Sequence, residues 1–204
     1  MSAMSYATID HLRSQLGGTP SPDRSPAYAA KMLHPVPKAE TVKREEFILR
    51  QCRGKRVLEF GASGALHRAI VEVAALCVGV DRESTSSVIG FDLDAIGPEL
   101  PQVPCDIIIC GEIIEHLTNP GWFLTRLKRQ YPDVPVIITV PNAFSRAGAG
   151  HIQRGIENVN IDHVAWYSPT TIAALLTKCG YVAGALYYYN GDGPTSEGLV
   201  VCAE

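Results

Sequence analysis

The chain has 204 residues and a formal net charge of −3 at pH 7, enough length for one α/β domain with a full core. Its 46% hydrophobic and 19% charged residues are ordinary globular composition, and the slightly acidic balance points away from nucleic acid or a membrane surface as partner. No apolar run is long enough to span a bilayer, the N-terminus shows no signal pattern, and Cys52, Cys77, Cys105, Cys110, Cys179 and Cys202 are scattered without a Cys-x-x-Cys pair, so the chain reads as cytoplasmic with reduced thiols.

Residues 1–38 read as a loop-rich N-terminal segment, punctuated by Gly17-Gly18-Thr19-Pro20-Ser21-Pro22 and His34-Pro35-Val36-Pro37, and residues 39–204 as the folded domain. Ile9 to Leu12 can open a short helix. Tyr28, Met32 and His34 are candidates for a lid over a ligand, against a plain surface tail. Ala39 to Cys52 reads as a helix anchored by Phe47, Ile48 and Leu49. Val57 to Phe60 then reads as a buried strand, Gly61 to Gly64 as a tight turn of small residues, and Leu66, Ile70, Val73 and Ala74 as one helical stripe. A second strand, Cys77 to Val80, ends on Asp81, about twenty residues beyond the first glycine, where an acid at a strand tip meets an adenosine ribose. A turn without Cβ branches lets a ligand lie against the backbone. The following helix offers its free N–H groups and positive end to the same ligand.

A nicotinamide fingerprint wants glycine at the first, third and sixth turn positions, and here these are Gly61, Ser63 and Leu66. The stretch instead resembles the first motif of class I S-adenosylmethionine-dependent methyltransferases, an acid–x–Gly–x–Gly–x–Gly turn. Glu59 and Gly61 match its acid and first glycine, while Ser63 and Ala65 replace the other two with small residues. The resemblance implies cofactor contacts from Glu59, Gly61, Ala62, Ser63, Asp81 and Arg82.

Six polar residues, Arg82 to Ser87, separate Asp81 from Val88-Ile89-Gly90-Phe91, which reads as a third strand. A parallel crossover normally takes a dozen residues or more, so the intervening helix is cut to a turn or the strand is irregular. The resemblance makes Asp92 an acceptor for the adenine amino group and sets the Leu93 amide against the ring; the alternative is that Asp92 or Asp94 caps the next turn. Asp106 to Cys110 is the unbroken apolar run of a central parallel strand. With Gly111-Glu112-Ile113-Ile114-Glu115-His116-Leu117 it resembles the family's fourth motif, which implies that Cys110, Gly111 and Glu112 lie beside the cofactor. Glu112 and Glu115 can share one face of a helical turn, and Glu115 and His116 read first as braces that hold loops by hydrogen bonds rather than as catalytic groups.

Asn119-Pro120-Gly121 opens a helix with Trp122, Phe123, Leu124 and Leu127 on its apolar side. Val134 to Val140 is the fifth strand, closed by Pro141-Asn142. Ala143 to Asn160 is either a substrate loop or a solvated connection. Asp162-His163-Val164-Ala165-Trp166-Tyr167-Ser168-Pro169 resembles the family's His-x-x-x-(aromatic)-Ser-Pro stretch before its last large helix, with Ser168 as N-cap. Tyr181–Tyr189 and Gly198–Ala203 form a final strand pair. The expected fold is thus a Rossmann-like class I methyltransferase α/β fold: a seven-stranded, mostly parallel sheet with an antiparallel C-terminal pair.

The resemblance implies methyl transfer from S-adenosylmethionine, here to a small-molecule acceptor such as a sugar or secondary metabolite, at oxygen or nitrogen. His163, and after it His116, are the candidate catalytic bases. Tyr28, Trp166 and Tyr167 are candidates to wall the acceptor pocket. No cluster of acids and amide assembles from the sequence, so no metal is expected. The competing readings are a methyltransferase-like scaffold without turnover and a nicotinamide oxidoreductase.

Overall fold

The structure, a computed structural model, describes residues 36–204. The lid candidates Tyr28, Met32 and His34, and the helix at Ile9 to Leu12, lie outside the described residues. Strands β1 (Thr41–Val42), β2 (Arg56–Phe60), β3 (Leu76–Asp81), β4 (Val88–Gly90), β5 (Ile107–Gly111), β6 (Val136–Pro141), β7 (Ala183–Tyr189) and β8 (Gly198–Ala203) form one sheet in the order β1-β7-β8-β6-β5-β2-β3-β4. Strands β2 to β6 pair in parallel, and β8 runs antiparallel to both β6 and β7. This is the expected sheet with one added edge strand. Thr41 and Val42 sit parallel to Tyr188 and Tyr189, and helix α1 starts only at Arg44, running to Cys52. The helix expected from Ala39 therefore begins five residues later, because a β-branched pair beside an open sheet edge pairs with it rather than coiling.

The sheet is apolar on both faces, as a parallel sheet covered by helices must be. Along β5, Ile108 and Cys110 enter one core with Leu58, Phe60 and Ile138. Ile107 and Ile109 enter the other with Val57 and Ile137. The first core is closed by Phe123, Leu124 and Leu127 of α3 (Pro120–Gln130) and by Ile172 and Leu176 of α5 (Pro169–Lys178). The second is closed by Phe47 and Ile48 of α1 and Ile70 of α2 (Gly64–Val73). Caps set the helix starts. Asn119 accepts from the Trp122 amide ahead of α3, and Ser168 and Thr171 form a reciprocal capping box on α5.

Two connections depart from the usual pattern. Arg82 to Ser87 contains no helix, yet β4 still pairs in parallel with β3, Gly79 opposite Val88. The short link folds back over its own strand: a Cβ at Gly90 would lie 2.7 Å from that of Ser84. The Gly- and Ala-rich stretch after β6 carries a short helix, α4 (Arg146–Ile152), capped by Ser145. Asn142 ties this region to the C-terminal strands. Its Nδ2 donates to the carbonyls of Pro194 at 2.9 Å and Ser196 at 2.8 Å, and its Oδ1 accepts from the Phe144 amide. All six cysteines are unpaired, and burial pushes the thiols of Cys52 and Cys77 up to about 12. No helix among the described residues is long and apolar enough to cross a membrane.

Candidate functional site

A cleft of about 940 Å³ opens at the carboxyl ends of β2, β3 and β5, where open parallel sheets bind their ligands. Gly61 leaves β2 at φ +78°, a region glycine enters without a steric penalty. An added Cβ there would also press on the Ile113 side chain at 3.3 Å. The Gly61 and Ala62 amides donate to the Val80 carbonyl at 2.9 and 3.2 Å, which fastens the turn to β3. Ser63 and Ala65, at the start of α2, line the cleft. Asp81 ends β3 on the cleft wall, and its Oδ1 accepts from the Arg82 amide at 2.6 Å.

Beneath the turn, the Glu59 carboxylate meets His67 Nδ1 at 2.6 Å, and both residues are buried. Burial pushes the Glu59 carboxyl up, and the His67 contact offsets part of that shift. The other ring nitrogen of His67 has no partner among the described residues. Glu59 thus braces strand to helix at the floor of the cleft. Replacing it with alanine leaves a buried imidazole with no polar partner, which is expected to destabilise the domain by about 3 kcal/mol; urea unfolding measures this.

The opposite wall comes from β4 and β5. Asp92 is exposed, and its Oδ1 accepts the Asp94 amide at 3.0 Å; Asp94 accepts from the Thr118 amide and hydroxyl, both at 2.9 Å. Both acids therefore shape turns and also line the cleft, as does Leu93. Gly111, Glu112 and Ile113 follow β5. Glu112 sits at φ +55°, held there by its amide donating to the Thr139 carbonyl and hydroxyl and by the Tyr189 hydroxyl donating to its Oε1 at 2.8 Å. Burial, and then the Glu112 charge, push the Tyr189 phenol up.

The sequence reading missed Arg44. Its Nε donates to Thr139 Oγ1 at 3.1 Å, and its guanidinium approaches so closely that a Cβ at Gly111 would lie 3.2 Å from Nη2. Nothing local separates Arg44 from Lys43 or Arg50; only the docking of α1 against the sheet brings it to the cleft.

Glu112 and Glu115 do not share a helical face. Ile114–His116 is a single 3-10 turn, and it sends the Glu115 side chain inward, with no exposed surface and, among the described residues, no hydrogen-bond partner for either oxygen. Burial pushes this carboxyl up to about 8, with the Glu112 charge adding to the effect. The Glu115 carbonyl accepts from the Val164 and Ala165 amides at 2.8 and 3.2 Å. That clip brings His163 edge-on to His116, ring centroids 4.5 Å apart. His116 lines the cleft. Burial, and then His116, lower the His163 pKa.

His163, the first candidate base, does not itself line the cleft and reaches it only through His116; four other expected side chains stand elsewhere. Cys110 is wholly buried in the core on the α3–α5 face, because strand alternation turns it away from the cleft. Ala62 is buried with its Cβ towards Gly79. Tyr167 belongs to the core and Trp166 is half exposed, and neither lines the cleft.

A methyltransferase-domain family matches residues 32–183. No curated protein sequence matches the chain. The fold is similar to that of the small RNA methyltransferase HEN1, with a TM-score of 0.63 and 16% identity over 79% of this chain; the chain spans only 24% of that protein's length. It is also similar to a SAM-dependent methyltransferase from Archaeoglobus fulgidus, with a TM-score of 0.60 and 14% identity over 98% of this chain and 99% of that one. A third similar structure is the 1,6-didemethyltoxoflavin-N1-methyltransferase of Burkholderia thailandensis, with bound 1,6-didemethyltoxoflavin and S-adenosylhomocysteine; its TM-score is 0.57, with 15% identity over 100% of this chain and 91% of that one.

The cleft suits S-adenosylmethionine, a ligand with a sugar diol, a sulfonium and a zwitterionic amino-acid end. It offers a strand-tip carboxylate at Asp81, more carboxylates (among them Glu59, Asp81, Asp92 and Glu112) than guanidiniums (Arg44, Arg82), and a turn at Gly61 whose φ of +78° strains any side chain. With the family match extending over most of its length, the chain belongs to the methyltransferase-domain family, as a class I methyltransferase whose cofactor is S-adenosylmethionine.

Proposed function

We propose that the protein methylates a hydroxyl or amine of a small-molecule acceptor, of the sugar or secondary-metabolite kind. The observation that carries this reading is the His116–His163 pair: His116 lines the cleft, and His163, between the lining residues Asp162 and Val164, packs edge-on against it. The cofactor supplies an activated methyl group, so the chain's own task is positioning and proton removal. Asp81 takes the ribose hydroxyls. The free oxygen of Asp92 takes the adenine amino group, with the Leu93 amide beside the ring. Arg44 takes the cofactor's carboxylate. An imidazole of the pair accepts the acceptor's proton. The excess of carboxylates on the walls favours a neutral or cationic acceptor over a polyanion.

Calorimetric titration with S-adenosylmethionine, followed by radiolabelled methyl transfer to a panel of sugars, phenols and amines, tests the proposal. Cofactor binding with product on one class supports it. Binding without product across the panel favours a scaffold role, and no heat at millimolar cofactor rejects it. His163→Ala is expected to lower turnover about a hundredfold while leaving the cofactor's dissociation constant unchanged in the same titration.

A further inference from the structure

We propose that Glu115, His116 and His163 form a binding site for one first-row divalent cation at the acceptor end of the cleft, with an open position for an acceptor hydroxyl. The acceptor's part in this rests on the methyl-transfer reading above; the cation's part does not.

One carboxylate oxygen of Glu115 and one ring nitrogen from each histidine lie within 4.8 Å of one another. Ligand atoms about 2.1 Å from a shared ion stand at most about 4.2 Å apart, so small side-chain rotations close the site. The second observation is independent of that spacing. Glu115 has 0% exposed surface, and among the described residues neither of its carboxylate oxygens has a hydrogen-bond partner. A carboxylate removed from water without a partner calls for a cation or a proton. The groups beside it are two imidazoles, whose neutral nitrogens are acceptors for a metal.

The arrangement is built before any ligand arrives. The Val164 and Ala165 amides hold the Glu115 carbonyl, and the His163 amide donates to the Asn160 carbonyl at 3.0 Å. Two loops far apart in sequence are thereby locked with His163 against His116. Two imidazoles and one carboxylate suit mid-series divalent ions, and three protein ligands leave coordination positions free. His116 and Val164 border the cleft, so a free position can be reached by an acceptor oxygen; a bound cation would acidify that hydroxyl, and it would then stand in place of the imidazole base. The other cluster of similar composition, Glu59, His67 and Cys77, differs in that its carboxylate is already bonded to its histidine at 2.6 Å.

The test uses the full chain stripped with chelator, then titrated with Mn2+ followed by electron paramagnetic resonance and with Co2+ followed by visible absorption. One ion per chain is expected. Glu115→Gln and His163→Asn are each expected to weaken binding about a hundredfold, with circular dichroism showing that the fold is kept. If one variant does not fold, the other carries the comparison. No binding to the wild-type chain, or equal binding by both variants, overturns the site and leaves Glu115 a buried protonated acid. Calorimetry of the stripped chain with S-adenosylmethionine separates the two proposals. Cofactor binding without metal binding removes the cation site alone; metal binding without cofactor binding removes the methyltransferase reading alone.

Discussion

Asp81→Ala is expected to raise the dissociation constant for S-adenosylmethionine about a hundredfold. A carboxylate at the tip of β3 can accept two hydrogen bonds from a ribose diol, and hydrogen bonds to a charged group contribute about 1.5–3 kcal/mol each. Asp81 is half-buried, so water competes for part of that energy, and about 3 kcal/mol in total corresponds to a hundredfold change. Its one side-chain hydrogen bond among the described residues is to the neighbouring Arg82 amide, so the fold should lose little. Asp81→Asn keeps one acceptor and should fall between the two, about tenfold weaker than the natural chain. Calorimetry reads affinity and thermal melting reads stability. Unchanged affinity in a folded Asp81→Ala protein would remove Asp81 from the cofactor site.

Gly198→Ala is expected to be the most damaging single methyl group in the domain. Gly198 opens β8 opposite Tyr189, and an added Cβ would fall inside the Tyr189 ring, against Cζ, Cε1 and the hydroxyl oxygen. The ring is buried beneath Arg44, whose guanidinium lies 5.8 Å from its centroid, and its hydroxyl holds Glu112. Alanine must therefore push the ring out, with a loss of about 3–5 kcal/mol, comparable to deleting a large core side chain. For a domain of this size that corresponds to a fall in melting temperature of roughly 6–20 °C. Cofactor affinity should fall as well, because Glu112 and Arg44 lose the group between them. Adding Tyr189→Ala to Gly198→Ala should cost less than the sum of the two single changes, since both remove the same packed ring. Simple additivity in urea unfolding would show that the two positions are not coupled in this way.

How far the chain could be understood before folding differs from element to element. Val57–Phe60, Ile107–Cys110 and the Ser168-Pro169 cap announce themselves through local chemistry: β-favouring apolar runs and a side chain that satisfies free helix amides. The same is true of Gly61 and Asp81, whose spacing follows from the length of one strand–helix–strand unit. Thr41–Val42 could not be read that way. Two residues carry no periodicity, and their strand exists because Tyr188 and Tyr189 present an open edge beside them.

Residue order alone is enough for the α/β class, the turn that faces the ligand and the acid across from it, since one strand–turn–helix–strand unit spans about thirty positions; the order of the sheet, which pairs Val57 with Ile107 and Val136 with Ala203, comes from likeness to a known family. Three-dimensional packing settles which of the nearby polar groups meet. It carries Arg44 over Gly111, turns Cys110 into the core, buries Glu115 without a partner and sets His163 against His116. Those placements depend on contacts between segments distant along the chain, and no local pattern of residues encodes a long-range contact.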